Sequence, residues 1–328
     1  MNSNRMTSWR RFIKPVCKIG LFLLVLAAVW SQARRYWATF DTTQIIFSPF
    51  WLLLAVPASV AGWLPALGYW RDLLIAQRHA VRFRDAARAY YYAHLGKYVP
   101  GKAVALVIRS TQMEGVGAGA AAVTAVYETL VTMGAGVCAA VMVAPWVFRG
   151  DAGAWGRWLQ QSAVLSWAVC LVAPGLCIVL LGLCSNAFTR FVERLLPKPL
   201  AVPHEPVRQS WGRNSRDFCL LVGGWWIHGL SLGLASRAVD AQPIALSVWP
   251  VWTAAIAVGT VTGFLAFFVP AGLVVREAAL VAVLAPHVGH TQAVLAALSI
   301  RVVSLIGEIV AAGLLYLFAK PRPGELAR

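Results

Sequence analysis

The chain has 328 residues, 59% of them hydrophobic and 13% charged, with mean hydropathy +0.67. Soluble domains carry about 25% charged residues, so an ordinary soluble enzyme is excluded and an all-α polytopic protein of the inner (plasma) membrane is expected. The formal charge of +16 is read as the Lys/Arg excess of cytoplasmic loops, not as a nucleic-acid footprint, because no aromatic-basic module able to read bases is present.

Residues 1–18 carry Arg5, Arg10, Arg11, Lys14 and Lys18, and an apolar run follows. Residues 12–33 are long enough to cross a bilayer, which favours an uncleaved first span over a signal peptide. Positive flanks then place the N-terminus in the cytoplasm. A second span is expected over about residues 50–70, broken by Pro57 and Pro65. It leads into the basic segment 71–88, with Arg71, Arg78, Arg82, Arg84 and Arg88 against Asp72 and Asp85, which returns the chain to the cytoplasm.

Residues 81–113 form two short arms around Pro100-Gly101. Proline removes an N–H and fixes φ, and glycine tolerates almost any φ/ψ, so the pair breaks a helix. Neither arm reads as a full span. A re-entrant hairpin from the cytoplasmic side is expected, with the break at its deep tip; an interfacial helix plus a linker is the alternative. Lys97, Lys102 and Arg109 sit around this break, and cations at membrane depth are costly unless protein or water surrounds them.

A third span follows over about residues 116–148, opened by Gly115xxxGly119. Thr124, Glu128 and Thr132 are spaced four apart and share one face. The fourth span is expected over about 158–184, the second basic loop over 186–217 and the fifth span over 218–236. Residues 251–269 end at Pro270-Ala271-Gly272, with Arg276 and Glu277 immediately after. The last span, about 291–318, carries Arg301, Ser304 and Glu308 on one face. The basic tail favours a cytoplasmic C-terminus.

Two stretches, about 81–148 and 251–318, therefore match. Each has a Pro/Gly break, a short arm carrying a cation, a Val-Gly pair and a span with intramembrane charge. The charge rule gives them opposite orientations. The expected architecture is a single membrane domain over 1–328, with about six full spans and two re-entrant hairpins in an inverted repeat. Seven or eight spans result if the second unit crosses fully.

A broken helix exposes unpaired N–H groups at the positive end of a dipole. Lys102 and Lys97 at the first break, and Arg276 and Arg109 in the arms, suit a phosphate or other anionic headgroup. Glu128, Glu277 and Glu308 are candidates to neutralise Arg276 and Arg301 when no substrate is bound. Equally, Glu128–Arg301 or Arg276–Glu277 are candidates for fixed ion pairs, and Lys97 for a side chain that snorkels to the interface. His94 and His228 lie in membranous segments, as helix contacts or proton carriers. His287 and His290 lack a third ligand, and the six cysteines make no CxxC, so no metal, disulfide or cofactor is expected. No nucleophile–base arrangement, phosphate-cradling glycine loop or acidic metal-binding pair is found, so an enzyme is not expected.

The words His94-Leu-Gly-Lys-Tyr-Val-Pro-Gly-Lys102 and Phe268-Val-Pro-Ala-Gly-Leu-Val-Val-Arg-Glu277 resemble those of the transmembrane, flippase-like region of lysylphosphatidylglycerol synthases and their stand-alone relatives. The resemblance implies a module that translocates a lipid between leaflets. Its substrate would be an anionic phospholipid or a polyprenyl-phosphate-linked lipid. A membrane partner that holds a glycosyltransferase or lipid-synthesis enzyme without transporting is the alternative. The soluble aminoacyltransferase portion of the best-known members is not in these 328 residues, which implies a stand-alone member. The family's second break usually reads Pro-Gly-Gly-Leu-Gly; here Ala271 and Val274 replace two of those glycines.

Overall fold

The computed structural model describes residues 47–97, 103–113, 115–148, 210–239, 246–266 and 274–318, together with 168, 170, 172, 174–177 and 272. Those from 47 onward belong to one compact unit, Ile46–Arg328; the other, Met1–Ile45, lies outside the described residues.

Five helical stretches are long and apolar enough to cross a membrane among the described residues. The first is Pro49–Ala76, made of α1 (Pro49–Gly62) and α2 (Leu64–Ala76). The expected breaks at Pro57 and Pro65 resolve differently. The helix runs through Pro57, and the join falls at Trp63, so that Pro65 occupies the first turn of α2, where no intrahelical N–H is needed. The second and third stretches are α5 (Ala118–Met142), continued by the short α6 (Ala144–Val147), and α7 (Trp211–Arg237). Ser210 Oγ accepts the Arg213 N–H at 3.4 Å and caps α7, so this helix starts well before the expected 218. A 3₁₀ turn, Leu246–Val248, leads into α8 (Trp249–Leu265), and together they form the fourth stretch. The last is α10 (His290–Phe318), whose outer face exposes Val302, Leu305, Ile309 and Leu314. The expected first span lies outside the described residues, as does nearly all of the fourth.

Three shorter helices interrupt this pattern. α3 (Phe83–Gly96) has 14 residues, α4 (Ala103–Thr111) has nine and α9 (Val275–Val288) has 14. At 1.5 Å per residue they reach only about 14–21 Å, short of a hydrocarbon core about 30 Å thick. α3 and α4 fold back on each other, close enough that a Cβ on Gly96 would stand 2.9 Å from Ile108 Cδ1. In the second unit the first arm differs from expectation: α8 and its 3₁₀ lead are long enough to cross, and only the return arm α9 is short.

The two ends of the bundle are marked by polar contacts. Arg216 bridges Asp72 and Asp217 at 2.8 and 2.7 Å, joining the end of α2 to the start of α7, and Arg71 Nε donates to Val81 O at 3.1 Å. The first basic stretch and the described end of the second, residues 210–217, therefore share one side. At the other end the Ser48 N–H donates to Ala238 O at 2.9 Å, and a His287 ring nitrogen lies 2.9 Å from Val147 O. α3 thus enters from the basic side, whereas α9 has its C-terminal end on the opposite side.

In lipid, helices associate through close packing of small residues instead of through the hydrophobic effect. Gly229 and Gly233 of α7 meet Thr253 and Trp252 of α8, and Gly259 and Gly263 of α8 meet Arg276 of α9. Both of these GxxxG patterns pack helices within one chain.

Candidate functional site

Lys97 caps the C-terminal end of α3. Its Nζ pairs with Glu308 Oε1 of α10, 211 residues away in sequence. The Glu308 side chain is only 4% exposed, whereas 31% of the Lys97 side chain remains accessible. Lys97 therefore points inward and does not snorkel to an interface. Arg301, Ser304 and Glu308 do share a face of α10, and that face divides its work. Arg301 Nη1 pairs with Glu277 Oε1, while Ser304 and Glu308 line a cavity.

That cavity is narrow and partly open to the exterior. Lys97, Arg276, Glu308, Ser304, His228 and Thr260 give it polar walls, and Trp63, Trp225, Ile256 and Ile300 give it apolar ones. Its lining comes from the α1–α2 join, α3 of the first repeat-like stretch, α7, and α8, α9 and α10 of the second stretch. The join at Trp63 turns that indole onto His228, with ring centroids 4.5 Å apart. Gly62 leaves room for the imidazole; a Cβ there would stand 2.6 Å from it.

Two cations, Lys97 and Arg276, and one carboxylate, Glu308, stand on this lining. Two lining atoms have no hydrogen-bond partner, Glu308 Oε2 and His228 Nε2, although their residues are 3% and 7% exposed.

Arg276 is placed by its neighbours. A Cβ on Gly259 would meet Arg276 O at 2.9 Å, and one on Gly263 would meet Arg276 Cβ at 2.9 Å. Only glycine lets α9 come this close to α8. Glu277 closes the first turn of α9: its Oε2 accepts the Val274 N–H at 2.7 Å while Oε1 holds Arg301.

Arg109 and Glu128 form a second, separate centre. Arg109 Nη1 donates to Glu128 Oε2 at 2.6 Å, with the residues 7% and 2% exposed. The guanidinium lies 4.9 Å from the Trp70 ring centroid and 4.4 Å from that of Tyr90. Thr132 Oγ1 and Tyr90 Oη donate to Glu128 Oε1 at 3.1 and 3.4 Å. Every charge here is neutralised and hydrogen-bonded, which is what a buried ion pair needs to be tolerated. This pair fastens α4 to α5 and leaves no exposed cation for a ligand.

The ion pairs thus differ from those weighed on sequence. Glu128 pairs with Arg109 and not with Arg301, and Arg301 is held by Glu277. These partners stand on different helices, and sequence spacing does not report which helix faces meet. Lys102, Pro100, Gly101 and Pro270 lie outside the described residues. Gly272 is described, with φ +62° and its Cα packed against Gly263. Trp63, Trp225 and Thr260 were not foreseen as lining residues, and His228 carried only the general signal of a histidine in an apolar helix. Among the described residues no group of three His, Cys, Asp or Glu is placed to hold a metal ion.

No curated protein matches the chain. A family model described as the lysylphosphatidylglycerol synthase TM region matches residues 17–312, a range that contains the whole cavity. With its membrane-spanning helices and the two broken-helix motifs inside that range, the chain is a multi-pass integral membrane protein that belongs to the lysylphosphatidylglycerol synthase TM region family.

Proposed function

We propose that this protein binds the phosphate of an anionic lipid headgroup in the Lys97–Arg276–Glu308 cavity and passes that lipid between leaflets, without making or breaking a covalent bond. The observation that carries the reading is the convergence of Lys97 and Arg276, from two short helices rooted at opposite ends of the bundle, on one cavity inside it. Cations at that depth are tolerated only where protein, water or a ligand surrounds them. Charge-assisted contacts to phosphate contribute about 1.5–3 kcal/mol each. We place the protein in the inner membrane with its N-terminus cytoplasmic, because the described basic residues near Arg216 and Asp72 then face the cytoplasm.

The test is transport in liposomes carrying a fluorescent phosphatidylglycerol analogue, with a membrane-impermeant quencher reporting leaflet sidedness. Lys97→Ala and Arg276→Ala are each expected to slow movement at least about tenfold, the equivalent of 1.4 kcal/mol. Unchanged movement in both variants overturns the site. A wild-type protein that moves no lipid overturns translocation and favours a non-transporting partner of a membrane-associated transferase.

A further inference from the structure

We propose that Trp63 sets the headgroup size limit of this site, so that a lipid with a small group beyond its phosphate passes and one with a ring there is held back. The inference rests on the reading of the cavity as a phosphate site and adds which headgroups that site admits. Trp63 stands midway along the first membrane-long stretch, with the 14 residues of α1 before it and the 13 of α2 after it. Each arm is about 20 Å long at 1.5 Å per residue, which puts the join near the middle of a hydrocarbon core about 30 Å thick. Three helix ends therefore meet at the cavity: Lys97 at the end of α3, Arg276 in the first turn of α9, and Trp63 between α1 and α2. Two of them bring charge, and the third brings a bulky ring.

The indole is held in place from several sides. Its chain neighbours are seated on α7: a Cβ on Gly224 would stand 2.7 Å from Gly62 O and 3.4 Å from Pro65 Cγ. Ring contacts brace the indole itself, with its centroid 4.5 Å from that of His228, 5.0 Å from that of His94 and 6.3 Å from that of Trp225. The other apolar lining residues present little surface to a ligand. Trp225, Ile256 and Ile300 are 2%, 3% and 3% exposed, whereas Trp63 is only half-buried. Trp225 is also committed to α5, because its indole N–H donates to Thr132 O at 3.0 Å and its ring fills the space left at Gly136. In so narrow a cavity, a group attached to the phosphate must lie against Trp63. Close-packed walls take up extra volume only with strain, so a larger group meets a clash where a smaller one fits.

Phosphatidylglycerol and phosphatidylinositol separate size from charge. Each carries a single phosphodiester charge and a hydroxylated group, which is a short glycerol chain in one and a ring in the other. The test is leaflet exchange by the purified full chain in liposomes, with fluorescent analogues of both lipids matched in acyl chains and a membrane-impermeant quencher. Wild type is expected to move the glycerol lipid at least about tenfold faster than the inositol lipid. Trp63→Ala is expected to narrow that gap to about threefold or less, by moving the inositol lipid faster. Equal wild-type rates overturn the size limit and leave the phosphate site standing. An unchanged ratio in Trp63→Ala, with both lipids slowed alike, gives Trp63 a packing role only and overturns the proposal. Wild type that moves neither lipid removes the transport reading and the size limit together. If Trp63→Ala is not recovered as a monodisperse protein, Trp63→Phe decides. Its smaller ring is expected to raise the inositol-lipid rate severalfold while the glycerol-lipid rate holds, and an unchanged ratio overturns the assignment to Trp63.

Discussion

Val274 has φ +71°, a region that a β-branched residue occupies at a cost of about 1–3 kcal/mol. What holds it there is a short chain of contacts: Arg301 fixes Glu277, and Glu277 accepts the Val274 N–H. The strain sits two residues before Arg276, at the start of the helix that carries this cation to the cavity. Glycine pays no steric penalty at positive φ, and it is the residue usual at this point of the motif that the chain resembles. Val274→Gly is therefore expected to raise thermal stability in detergent, by about 1 kcal/mol. Arg301→Ala is expected to destabilise the wild type more than it destabilises Val274→Gly, because the hold on Glu277 matters most when the backbone it opposes is strained. A thermodynamic cycle over the two substitutions measures the coupling. Additive effects would show that the ion pair does not sustain the strained turn.

At the scale of elements, the decisive contact is the seating of α9 on α8. Gly263 lies against both Gly272 and Arg276, so that a Cβ on Gly272 would stand 2.7 Å from Gly263 O. A side chain at Gly263 must push α9 away and carry Arg276 with it. Gly263→Leu is expected to abolish lipid movement, and Gly263→Ala to slow it. Gly134→Leu, at an exposed site with nothing within 4 Å, serves as the control and is expected to transport normally. Equal transport by Gly263→Leu and the control would sink the idea that this seat positions the cation. Much of this element-level picture was legible in the sequence. Pro/Gly words located the short helices, and spacing put Arg301, Ser304 and Glu308 on one face and Thr124, Glu128 and Thr132 on another. Which faces meet was not legible. Lys97 finds Glu308 across 211 residues, and Glu128 finds Arg109 instead of Arg301, because those choices depend on how α3, α4 and α9 insert among the long helices. The full length of α8 was also hidden, since the 3₁₀ turn at Leu246–Val248 adds length before the apolar run begins. His228 gave no motif at all; its role follows from the space left at Gly62 and the Trp63 join.

For the whole molecule, the important relation is that the two short-helix ends approach one cavity from different directions. α3 starts beside the basic cluster and ends at Lys97, and α9 ends beside α6 and starts next to Arg276. A site built this way has one cation anchored to an element rooted on each side. On the proposed transport reading, rocking one half of the bundle against the other would expose the same cavity to either leaflet without rebuilding it, as in transporters made from inverted repeats. The opposed rooting is directly testable. In a variant freed of its native cysteines, Ala80→Cys marks the loop before α3 and Thr291→Cys marks the start of α10, just after α9; both positions are exposed. A membrane-impermeant maleimide is expected to label Ala80→Cys only from the cytoplasmic face and Thr291→Cys only from the opposite face. Labelling of both from one face would place the roots of α3 and α9 on the same side. Lys97 and Arg276 would then share one point of entry, and alternating exposure of a fixed site would lose its structural basis.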